Sequence, residues 1–214
     1  MLSEIAQPSG PLAIGERARL ARRAKLLALA GNGYHLAELA VALAAGILAS
    51  SPALYAFGGD TGIELFSGTV IACLFTGARV GSGEAELRAQ RLIAFTFFAL
   101  ALFITVEALR SLLAGHQPDV SWLGIGLAAV TVPTMPLLAR LKTRVGKQLH
   151  STATMKEGRQ NQICAYLAGA LLLGLGSNAL FGWWWADPTA ALVIAGVAAY
   201  EGRETWRGRG CDCC

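Results

Sequence analysis

Six apolar blocks run along this chain, at about 26–50, 53–77, 92–113, 120–138, 157–180 and 187–200, each broken only by isolated polar residues. As helices rising 1.5 Å per residue, blocks of this length cross a hydrocarbon core of roughly 30 Å. The pattern predicts an all-α polytopic membrane protein with six transmembrane helices. Punctuation between the blocks agrees with this. Ser50, Ser51 and Pro52 mark the first turn, and Gly115 to Asp119, with Pro118, ends the third span. Pro133 and Pro136 predict a kink or a loosened end in span four. Trp183 to Trp185 form an aromatic belt at the end of span five, and Asp187 before Pro188 reads as the N-cap of span six.

Composition strengthens the membrane reading. The 214 residues are 54% hydrophobic and 15% charged, whereas soluble domains carry roughly 25% charged residues. The net charge of +4 sits in short connectors: 17 of the 18 Lys and Arg fall before residue 26 or within 79–91, 140–159 and 203–209, and Arg110 alone lies near the other side. The positive-inside rule then places both termini in the cytoplasm. Basic residues used this way form no nucleic-acid groove. The basic start followed by a long apolar run is an uncleaved first span, too long for the core of a signal peptide. Residues 1–21 are expected as a polar cytoplasmic tail, 22–206 as the six-helix domain and 207–214 as a short Cys-containing tail. The 13 residues after Glu201 are too few to bury a further core. Cys211, Cys213 and Cys214 lie on the reducing side, so no disulfide framework is expected. They could instead offer thiolates to a soft metal, or be a plain exposed tail. Neither an HExxH nor a Ser/His arrangement occurs in any span, and no nucleotide loop appears, so an enzyme is not expected.

Candidate chemistry lies in the polar interruptions of the spans. Asp60 and Glu64, four apart, stack on one helix face deep in span two, flanked by Gly58, Gly59 and Gly62. Acids at that depth are expensive to bury and mark ion pathways, although one neutral acid with a hydrogen bond and one paired to arginine would also be tolerated. Gln160 and Cys164 share a face at the start of span five, beside Asn161; an amide oxygen and a thiolate there could complete a four-ligand site with Asp60 and Glu64, or simply be a polar helix start with a buried cysteine. In span one Glu38 could line the same cavity and His35 could relay protons, or both could make interhelical hydrogen bonds. Glu107 and Arg110 are spaced to neutralise one another.

The order of these features resembles the transmembrane domain of the cation diffusion facilitator family. The resemblance rests on Glu38 to Ser50, on Leu54 to Asp60 with Glu64, on the third span from Arg91 to Leu113, and on Asn178 to Pro188. It implies export of zinc or a related divalent cation in exchange for protons, a homodimer, and a place in a bacterial inner membrane, in a branch lacking the family's cytoplasmic C-terminal domain. Family members carry an acid pair four apart in span two, matched by Asp60 and Glu64, and a His/Asp pair four apart in span five. Gln160 and Cys164 stand at that second pair, with Asn161 the alternative if the register slips by one. The departure admits a second function, a metal-binding sensor or partner subunit without transport.

Overall fold

The computed structural model describes the backbone of residues 14–76, 83–115, 117–149 and 152–207, with side chains for most of these but not for 67–76 or 83–90. The expected tails before residue 14 and after 207, Cys211, Cys213 and Cys214, and the side chain of Cys73 lie outside the described residues. Six helices follow in order: α1 Ile14–Ala49, α2 Pro52–Thr76, α3 Gly83–Ala114, α4 Trp122–Leu149, α5 Thr152–Phe181 and α6 Ala186–Trp206. The chain is all-α and polytopic. By length and composition α1, α3, α4 and α5 each qualify to cross a membrane.

The helices extend well past the apolar blocks. Much of the charged segment 79–91 belongs to α3, and the basic segment after Arg140 is divided between α4 and α5. Glu, Arg, Lys, Gln and Leu dominate those stretches and proline is missing from them, so hydrogen bonding carries the helices on as the polarity rises. Pro133 and Pro136 lie inside a continuous α4.

Glycine and serine make the reversals. Ser50, at φ 49°, joins α1 to α2; Gly115 ends α3 at φ 66°, and Gly182 ends α5 at φ 67°. Asp187 differs from its expected role. It lies in the first turn of α6 with Trp185 at the cap position, is fully buried, and reaches across to α2, accepting the Ala53 N–H at 3.1 Å and the Ser51 hydroxyl. The carboxylate therefore caps α2 and ties it to α6.

Neighbouring pairs are α4 with α5, α3 with α6, α1 with both α2 and α4, α6 with both α2 and α5, and α2 with both α3 and α5. Small residues permit the close contacts. A Cβ on Gly174 would lie 2.7 Å from the Ala190 Cβ and 3.1 Å from the Ala186 carbonyl, so α5 and α6 nearly touch there. The polarity is inverted relative to a water-soluble bundle. Leu48, Leu113, Leu173 and Leu180 are exposed, whereas Glu38, Asp60, Lys142 and Asn161 are buried. Among the described residues no ion pair joins Glu107 to Arg110.

Candidate metal centre

A cluster of buried and half-buried polar residues gathers where α1, α2, α4 and α5 meet. From α1 come Tyr34, His35 and Glu38, with Ala42, Ala45 and Ala49 continuing the inner face. From α2 come Asp60 and Glu64, and from α5 Gln160, Asn161 and Cys164. The inner face of α4 supplies Thr131, Met135 and Lys142, at a spacing of four and seven residues that repeats on one side of a helix.

One donor group of each kind gathers at the centre. A ligand atom from each of His35, Glu64 and Cys164 lies within 4.8 Å of the other two. His35 Nδ1 stands between two carboxylates, 3.1 Å from Glu38 Oε2 and 3.6 Å from Glu64 Oε2. Cys164 Sγ is 3.9 Å from Glu38 Oε2, so Glu38 touches two members of the group. Its other oxygen accepts the Thr131 hydroxyl at 2.7 Å, and Tyr34 meets Thr131 at 2.8 Å. Gln160 Nε2 donates to Glu64 Oε1 at 2.6 Å, so the polar segments of α2 and α5 are in direct contact.

Hydrogen-bond direction assigns the proton on His35. The Lys142 ammonium can only donate, and it lies 3.0 Å from Asn161 Oδ1. The amide nitrogen therefore faces the other way, 3.3 Å from His35 Nε2 and 3.1 Å from Met135 Sδ. With Nε2 accepting, the imidazole proton belongs on Nδ1, directed at the carboxylates. Lys142 is held in turn by Glu157 at 3.2 Å, and it packs over Gly31, where a Cβ would lie 2.9 Å from Nζ.

Not every sequence candidate lies in the central group. Asp60 is buried, one turn along α2 from Glu64 and outside the group of three. Gln160 and Asn161 hydrogen-bond to members of the group. His35, read from sequence as a relay or a packing residue, is at its middle. Sequence reasoning missed Tyr34, Thr131, Met135 and Lys142. Its available signal was the helical repeat of Thr131, Met135 and Lys142 in a span already marked by two prolines.

Nitrogen, oxygen and sulfur donors gathered among buried side chains suit a borderline-soft divalent cation, and the ammonium of Lys142 is held one residue away from them. Buried, mutually hydrogen-bonded ionisable groups inside a bundle with an apolar exterior fit a multi-pass membrane protein. The chain belongs to the cation efflux family: the profile of the cation efflux transmembrane domain matches residues 33–208. It is also similar to magnetosome protein MamB of Magnetospira sp. (strain QH-2), with 27% identity over 124 residues, a match that covers 58% of this chain and 42% of that relative.

Proposed function

We propose that the chain exports a divalent metal cation, zinc or a chemically related ion, from the cytoplasm in exchange for protons. It would act as a homodimer in a bacterial inner membrane, with both termini cytoplasmic and residues 22–206 as the transporting unit. The observation that carries the reading is His35 Nδ1, placed between the carboxylates of Glu38 and Glu64 with the Cys164 thiol in reach.

His35, Glu64 and Cys164 are the primary ligands in this scheme. Glu64 and Cys164 must shed their protons to bind a metal. His35 binds as neutral imidazole once its proton has moved from Nδ1 to Nε2, with Asn161 turning its amide oxygen to accept it. Glu38 supplies a further oxygen. Gln160 would turn its amide oxygen to the ion once Glu64 is engaged, and Asn161 holds the imidazole. Asp60 lies roughly 6 Å farther along the α2 axis, toward the Ser51–Asp187 end of the bundle, where it would receive the ion on its way out. Protons arriving from that side then return to Glu64 and Cys164, the His35 proton moves back to Nδ1, and the cation is expelled. Helix groups rocking about the fixed site would expose it to each side in turn.

The test is metal flux into proteoliposomes under an imposed pH gradient, comparing wild type with Glu64→Gln. Gradient-driven flux that disappears in the variant is expected. Equal flux in both would remove Glu64 from the mechanism, and binding with no flux in wild type would instead indicate the sensor or partner-subunit role.

A further inference from the structure

Away from the chamber, at the end of the bundle where α4 finishes and α5 begins, lies a groove of about 690 Å³. Its walls carry four cations: Arg140, Arg144 and Lys147 from α4, and Arg159 from α5. Among the described residues none of Arg140, Arg144 and Lys147 has an ion-pair partner. Gly158 forms the floor. A Cβ there would collide with Thr143 Oγ1 and lie 2.9 Å from the Ala139 carbonyl, so the two backbones touch and the long basic side chains stand around the contact.

Arg159 and Gln162 also line a second hollow, of about 420 Å³, between α5 and α6. The other walls of this hollow are mainly apolar: Ile163, Tyr166, Leu167, Val197 and Tyr200, with Glu201 at the rim. The two hollows share the walls Arg159 and Gln162, so a cationic recess lies directly beside a greasy furrow.

We propose that one anionic phospholipid occupies both, its phosphate headgroup among the four cations and an acyl chain in the furrow between α5 and α6. Charge complementarity selects the headgroup, because the two linings together hold four cations and one carboxylate, Glu201, which lies on the Arg159 side. Basic recesses between membrane helices bind anionic headgroups in this way. The apolar furrow selects a lipid over a free anion. Arg159 immediately precedes Gln160, so the seated lipid braces the turn of α5 that enters the chamber. The site is independent of any metal-transport reading.

Native mass spectrometry of the full chain, titrated with phosphatidylglycerol or phosphatidylcholine, tests this. Wild type is expected to retain phosphatidylglycerol about tenfold better, with the preference fading as ionic strength rises. The triple variant Arg140→Gln, Arg144→Gln, Lys147→Gln should lose the preference. Val197→Trp, which fills the furrow and leaves the charge unchanged, should weaken retention of phosphatidylglycerol. Millimolar inorganic phosphate should not displace the lipid. Equal retention of the two lipids by wild type, undiminished retention by either variant, or displacement by phosphate would overturn the proposal. The salt series on wild type decides the headgroup question even if a variant fails to fold.

Discussion

Asn161 links two functions at the residue scale, because its amide joins a lysine that can only donate to an imidazole that must then accept. Replacing it with leucine removes both contacts. Nitrogen-15 spectra of histidine-labelled protein are expected to show His35 as the Nδ1–H tautomer in wild type and as a mixture in Asn161→Leu. A pure Nδ1–H signal in the variant would mean that the carboxylates alone hold the proton. Thr131 is the other hinge of the network, donating to Glu38 and meeting Tyr34. Thr131→Val leaves the buried Glu38 oxygen without that donor and should destabilise the protein by about 1–3 kcal/mol. Metal affinity should fall on the order of tenfold, as outer-shell losses do. Thermal unfolding and calorimetric binding measure the two effects, and an unchanged affinity would detach Thr131 from the metal site.

Much of this network was legible in the chain, because carboxylates and amides inside apolar blocks stand out by their rarity. The role of His35 was harder to read. A lone histidine beside Glu38 is equally consistent with packing, and the deciding contacts come from residues 29 and 126 positions away in sequence. Lys142 was hidden for another reason: among six basic residues in 140–159 it reads as one more connector charge, and only the inward face of α4 separates it from the rest.

At the scale of elements, helix contacts decide how accurately the chamber is held. Gly158 brings α5 against the α4 backbone, and the Ala139 carbonyl cannot give way as a side chain could. Gly158→Leu should therefore prise the helices apart and destabilise by about 1–3 kcal/mol. A fall in melting temperature with unchanged helical content is expected; an unaltered melting temperature would show that the contact is slack. Asp187 has the corresponding role at the far end, where it satisfies the start of α2 from within α6. Asp187→Ala removes an acceptor from two donors and should cost about 1–2 kcal/mol by the usual scale for lost caps. The Asp–Pro pair signalled a helix start correctly in kind, but sequence carries no sign that the carboxylate serves a different helix. The same limit explains the helix ends in 79–91 and 140–159: hydropathy marks where lipid stops, and hydrogen bonding decides where a helix stops.

For the whole molecule, the inverted polarity and the family match agree on a multi-pass membrane protein whose polar groups lie inside. Metal binding at such a site is linked to pH with a definite sign. Carboxylate and thiol must shed their protons, and imidazole must be neutral, to become ligands, so apparent affinity should fall as pH is lowered. A pH-independent affinity would mean that the ion binds elsewhere.

Proton release on metal binding tests the competition at His35, Glu64 and Cys164 most directly. Calorimetric titration of zinc into the purified protein, repeated in buffers of different ionisation enthalpy, counts the protons set free. About one proton or more per bound ion is expected, falling together with affinity in Glu64→Gln. Tight binding that liberates no protons, or a proton count and affinity untouched by that substitution, would contradict the shared site.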